Sequence, residues 1–164
     1  MTHICELEAK PLTAEAFAPF GEVLAATGDF IPINDGLTQR FHQLATVELA
    51  GGDAILSIFK GSVQPTPITL RKMERHPLGS QAFMPLSGDP YLVVVAPAGE
   101  FDASKVQAFI AQGQGVNYRQ GTWHHYLLPL VQGAEFLVVD RQGEGYNCDE
   151  VTLDLPLQIR YAAC

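Results

Sequence analysis

Positive charge is scarce in this chain: 10 Lys and Arg stand against 18 Asp and Glu, a formal net charge of −8. Nucleic acid and anionic membrane surfaces both require a basic face, so the balance argues against either as a partner. Cysteine is scarce as well. Cys5, Cys148 and Cys164 are odd in number, scattered, and free of any CxxC spacing, which excludes a disulfide frame and leaves reduced thiols. Long hydrophobic runs are missing, and Tyr91–Ala96 is far too short to cross a bilayer. The opening MTHICELEAK has no basic region followed by an apolar stretch, so no signal peptide is expected and the cytoplasm is the expected location. No serine sits in a GxSxG setting, which removes the case for a serine hydrolase.

What remains is an ordinary globular composition over 164 residues, read as a single domain spanning 1–164. Thr13 predicts an N-cap for a short helix carrying Phe17, ended by Pro19 and Gly21. A second helix is expected from Asp102 to Gln112, with Val106, Phe109 and Ile110 on one face. Elsewhere 15 Gly and 11 Pro punctuate short β-branched or aromatic runs. Ala54–Phe59, Gln81–Leu86, Tyr91–Ala96, Val116–Tyr118 and Phe136–Asp140 each have strand length and turn residues at their ends. Many short strands imply a β-sandwich or barrel. Leu92–Val95 shows no alternation, which places it in a sheet buried on both faces. Asn34-Asp-Gly36 reads as a plain turn.

Two stretches answer each other. ERHPLGSQAFMPLSG, residues 74–88, places Glu74, His76, Gln81 and Gly88 at the spacing of the first cupin motif, G-x5-H-x-H-x(3,4)-E-x6-G. GQGVNYRQGTWHHYLL, residues 113–128, places Gly113, Gly121 and His124 at the spacing of the second, G-x5-P-x-G-x2-H-x3-N. Glu74 stands where the pattern has His, Gln81 where it has Glu, Arg119 where it has Pro and Leu128 where it has Asn. Together with INDGLTQRFHQLA and FLVVDR, from the Pro11 helix to Asn147, these segments resemble the ureidoglycolate lyase family of allantoin degradation. The resemblance implies a mainly β fold, a cupin-like (RmlC-type) barrel or jelly roll with a few short helices. It also implies cleavage of (S)-ureidoglycolate to glyoxylate and urea, a divalent metal with Ni²⁺ favoured, and a homodimer.

That reaction takes a proton from a hydroxyl, returns one to the departing urea nitrogen, and needs a grip on a carboxylate. His76 and His124 are the first candidates, because imidazole titrates near neutrality and ligates Ni²⁺, Zn²⁺ or Fe²⁺. Glu74, two residues before His76 on a strand, is a third ligand or the base. Gln81 suits a hydrogen bond to the ureido amide. His125 should face away from its neighbour His124, with Trp123 packing on the barrel's outer layer. Among cations that can grip a carboxylate, Arg40 (with His42) can reach the cavity from the N-terminal region. Arg75 points away from Glu74 on a regular strand, leaving a surface charge and a substrate contact as alternatives, and Arg75 and His125 both stand among the substrate-binding candidates. Asn117 shares a face with Arg119 and can bond substrate. Arg141 is expected to pair with Asp140. Hydrolysis of the same ureido group to ammonia and carbon dioxide, and non-catalytic binding in a sensor, are the competing readings. The segment from Val151 onward is left open between a paired strand and a crossing to a partner.

Overall fold

A computed structural model describes residues 4–162. In chain order the elements are β1 (Cys5–Pro11), α1 (Ala14–Phe17), β2 (Gly21–Leu24), β3 (Ile31–Ile33), β4 (Thr38–Arg40), β5 (Asp53–Lys60), β6 (Thr69–Arg75) and β7 (Gln81–Pro85). They continue as β8 (Pro90–Ala96), β9 (Gln107–Gln112), β10 (Gly115–Tyr118), β11 (Trp123–His124), β12 (Leu128–Pro129), β13 (Glu135–Gln142) and β14 (Asp149–Arg160). No helix among the described residues is long and apolar enough to cross a membrane.

The strands form a seven-stranded sheet, a five-stranded sheet and the separate β3–β4 hairpin. In the larger sheet β11 pairs antiparallel with both β6 and β8, so the order β11-β6-β14-β1-β9-β8 closes on itself as a six-stranded barrel. The expectation of a mainly β barrel with a few short helical turns is met. Side chains alternate across each strand, and the two faces of the barrel wall carry two different cores. Leu70, Met73, Val94, Ala96, Ala108 and Trp123 fill one. Tyr91, Val93, Val95 and Phe109 meet Phe83, Val116, Phe136 and Val138 of the five-stranded sheet in the other. Leu92–Val95 is therefore buried on both faces, which is why its sequence shows no alternation.

The helix expected over Asp102–Gln112 is corrected. Asp102 does act as a cap, accepting from the Ser104 amide at 3.0 Å, but it caps one 3₁₀ turn, Ala103–Lys105. Gln107–Gln112 is strand β9. Ala108 faces one core and Phe109 and Ala111 the other, so the run is apolar because both faces are covered, and the apparent helical stripe is a coincidence of spacing. The Thr13 cap holds, its hydroxyl accepting from the Ala16 amide at 3.2 Å. Asn34, Asp35 and Gly36 all take positive φ in the β3–β4 turn. The open question over the C-terminal segment closes for its described part: β14 pairs with β6 and runs parallel to β1, while Cys164 lies outside the described residues.

Candidate active site

The pairing register decides which side chains share the space between the barrel and the five-stranded sheet. His124 sits opposite Glu74 on β6 and opposite Val95 on β8, and directly paired residues project to the same face. Val95 belongs to the core between the sheets, so Glu74 and His124 face that space too. From the other side, Tyr118 pairs with Gln81, and Phe136 and Val138 set the inward parity of β13, which Asp140 continues. The loop after β6 brings His76 in. It is tied down by Gly121 N–H donating to the His76 carbonyl and Leu78 N–H donating to Asn147 Oδ1.

Glu74, His76 and His124 converge there. Glu74 Oε1 lies 4.0 Å from His76 Nε2 and 4.0 Å from His124 Nδ1, and the two imidazole rings are 5.1 Å apart. One ligand atom from each of the three falls within 4.8 Å of the others, a set able to hold a metal ion. Each histidine's tautomer is fixed by a carbonyl, which can only accept. His76 Nδ1 donates to Asn147 O at 2.7 Å and His124 Nδ1 donates to His125 O at 3.1 Å. Both Nε2 atoms are thereby left with lone pairs, and both are buried without a partner. Burial, then the neighbouring His76, lowers the His124 pKa from 6.5 to about 3, which keeps this ring neutral and ligand-competent. Its ring stacks on Tyr118 at 4.3 Å. Burial, with Glu74 nearby, pushes the Tyr118 hydroxyl far above its usual range, so Tyr118 acts as a platform and not as an acid or base near neutrality.

Two further orphaned atoms complete the polar set: Gln81 Oε1 and Asp140 Oδ1. Gln81 Nε2 donates to Asp140 Oδ2 at 3.1 Å. Gln81 also lines a cavity of about 260 Å³ with Phe59, Lys60, Glu74, Phe83 and Tyr126. Cys148 Sγ–H donates to Glu74 Oε2 at 3.7 Å, and burial followed by Glu74 raises its pKa, so it stays a protonated donor. Glu74, Cys148 and Glu150 form a second grouping of ligand type that shares Glu74 with the first.

The other candidates lie elsewhere. Arg75 takes the strand face opposite Glu74, bonding Asp149 at 2.8 Å and lying 4.6 Å over the Trp123 ring. Trp123 packs in the barrel's interior core and not on an outer layer, because β11 is a wall strand whose two residues face opposite ways. His125 does turn away from His124: its amide donates to Val94 O and its Nδ1 to Tyr126 O, and burial lowers its pKa to about 4. Asn117 pairs with Ala82 and Glu22 on the outer face of the five-stranded sheet, where it and Arg119 both bond Glu22, at 2.8 and 2.9 Å. Arg40 and His42 line a separate hollow beside the β3–β4 hairpin. Arg141 does not pair with Asp140, since neighbours on a strand diverge; it donates to the carbonyls of Gly51 and Glu144. Asp140, Tyr118 and Cys148 escaped the reading of the sequence. Only Asp140 left a trace there, as a carboxylate continuing the inward parity of Phe136 and Val138.

The comparisons with known proteins converge. The family model described as ureidoglycolate lyase matches residues 4–160. The chain belongs to the ureidoglycolate lyase family. It is 54% identical over 149 residues to the ureidoglycolate lyase of Pseudomonas fluorescens (strain Pf0-1), covering 88% of this chain and 89% of that one. It is 52% identical over 151 residues to that of Burkholderia mallei (strain NCTC 10229), covering 90% and 89%. Among solved structures, Bacillus subtilis oxalate decarboxylase is similar at 14% identity and a TM-score of 0.40, over 62% of this chain and 24% of that one, which carries no argument here. In this member of the ureidoglycolate lyase family the polar cluster lies between barrel and sheet, where both cupin-spaced histidines meet.

The depressed histidine pKa values have a consequence for stability. The unfolded chain protonates the His124 imidazole near its ordinary 6.5, the folded protein only near 3. Their contribution is complete above the unfolded value and is lost as pH falls toward 3. In chelator, guanidinium unfolding midpoints should fall from about pH 6.5 to about pH 4 more steeply for the wild type than for His124→Gln. Equal slopes would show that His124 is not held neutral by the fold.

Proposed function

We propose that this chain is a ureidoglycolate lyase whose reaction centre is the Glu74–His76–His124 cluster. The single observation that carries the reading is the convergence of Glu74, His76 and His124, with one ligand atom of each within 4.8 Å of the others, beside a small cavity lined by Glu74. The hydroxyl of (S)-ureidoglycolate loses its proton as C=O forms, the C–N bond breaks, and the departing nitrogen gains a proton to leave as urea. No water is consumed, so glyoxylate and urea are the only products.

Glu74 is the carboxylate in that cavity and suits the proton transfers, held in place by the Cys148 thiol. Two imidazoles with Nε2 lone pairs plus a carboxylate fit a divalent transition metal, with Glu74, His76 and His124 as its holders and Ni²⁺ as the ion the family resemblance favours. When bound, such an ion lowers the pKa of the hydroxyl and stabilises the oxyanion. Lys60 is the cation among the residues lining the cavity. Its ammonium, exposed and 4.0 Å from Glu135, is on a flexible stem that suits the substrate carboxylate. The free thiols of Cys5 and Cys148 support a reducing, cytoplasmic setting.

Pairing also supports a homodimer. Strand register puts Leu56 and Ile58 on the outer face of the five-stranded sheet with Leu137, Val139, Ala82 and Met84. Leu56 is 73% and Ile58 56% exposed, and a solvated sheet face would alternate to polar residues there. A second copy of this chain is the occupant we assign to it.

Purified protein given ureidoglycolate should release urea and no ammonia, with activity lost in chelator and restored by Ni²⁺; ammonia in place of urea would make it a hydrolase, and no turnover a binding protein. His76→Ala should lower kcat/KM by roughly 10²-fold or more, and an unchanged value would remove His76 from the centre. Sedimentation should give a dimer for the wild type and a monomer for Ile58→Glu. A wild-type monomer would leave that apolar face without the partner assigned to it.

A further inference from the structure

The Gln81–Asp140 pair does nothing for the proton transfers described above, yet it is built with care. A carboxylate accepts and never donates, so the Gln81 atom 3.1 Å from Asp140 Oδ2 must be the amide nitrogen. That fixes the amide the other way round at its far end, leaving Oε1 without a partner. Asp140 Oδ1 is likewise shut off from solvent and unpartnered, and Gln81 itself is only 6% exposed. The pair therefore presents two unpartnered acceptors, beside which the second Gln81 N–H is its one remaining donor. Buried acceptors without a donor cost free energy, and native proteins keep few of them.

The surroundings sharpen the point. Phe59 and Phe83, edge to face at 5.6 Å, line the same cavity as Gln81 and offer no hydrogen. A ligand that completes the pair must bring N–H or O–H donors. A second carboxylate is the wrong sign beside Asp140, so the acid end of a substrate has to lie elsewhere.

We propose that Gln81 Oε1 and Asp140 Oδ1 form the specificity subsite for the terminal ureido N–H groups of the substrate, with Asp140 as a specificity-determining residue that also orients Gln81. This rests on the lyase reading, because that reading supplies a substrate with a ureido end. The terminal NH₂ of a ureido group offers two N–H donors, one for each of the two open acceptors. Sites built to hydrogen-bond a substrate group discriminate strongly against analogues that lack it, because the buried partners are then left empty.

The test is a pair of ligands that cannot react. Hydantoate (N-carbamoylglycine) keeps the carboxylate and ureido group but lacks the hydroxyl; N-acetylglycine replaces the terminal NH₂ by CH₃. By isothermal titration the wild type should bind hydantoate roughly tenfold or more tightly than N-acetylglycine. In Asp140→Asn the amide oxygen takes the Gln81 bond and turns an NH₂ toward the ligand, donor against donor, so the ratio should fall toward one. Gln81→Leu, of similar shape, should also lower it, and provides the reading should Asp140→Asn not fold. Equal binding of the two ligands by the wild type overturns the assignment, as does a ratio kept in both variants. If urea release persists alongside equal binding, the lyase reading stands and only this subsite falls.

Discussion

Everything at the site depends on a strand of two residues. Trp123 and His124 pair with β6 on one side and β8 on the other, and that double pairing closes the barrel wall. Alternation then does the sorting. Trp123 goes into the barrel interior, with its indole N–H donating to Gly99 O at 3.0 Å, while His124 goes into the space facing the second sheet. A one-residue slip of β11 would exchange the two, putting an indole over Glu74 and an imidazole into an aliphatic core. The strand is too short to hold its own register. It is held by Thr122, whose hydroxyl donates to Phe20 O at 2.8 Å, and by the His125 amide donating to Val94 O at 2.9 Å.

Once His124 is placed, the electrostatics follow from burial. Two imidazoles 5.1 Å apart in a largely apolar space cannot comfortably both be protonated, and carbonyls spend each Nδ1–H elsewhere. What the cluster offers is one carboxylate, two lone pairs and, across the gap, the acceptors of Gln81 and Asp140. Among the described residues, the buried partnerless side-chain atoms (His76 Nε2, His124 Nε2, Gln81 Oε1 and Asp140 Oδ1) all come from this one region. A cluster of buried acceptors and lone pairs left open in one place suits a ligand that supplies cationic or N–H partners.

Much of this was legible in the sequence, for identifiable reasons. Turn residues bounded the strands, and the Glu74–His76 and His124 spacings carried enough information to bring three side chains to one place. Burial on both faces defeated the period of Gln107–Gln112, which looks helical because strand β9 has no solvent side. Long-range pairing defeated the reading of Asn117 and Arg141: which face of a strand looks inward is decided by the partner strand, and nothing local in the sequence reports it. Asp140 was hidden by its neighbour, since an adjacent Asp-Arg reads as an ion pair until the strand turns the two apart. Arg40 and His42 belong to a hairpin that forms its own small sheet, so their chain position says little about their place in space.

The claim underlying the rest is that the three side chains brought together by β11 and β6 constitute a ligand set. Anomalous diffraction at the nickel edge, from crystals grown with Ni²⁺, tests it directly. The expected result is one peak bounded by Glu74, His76 and His124. A peak at Glu74, Cys148 and Glu150 instead, or no peak within reach of either histidine, would contradict it.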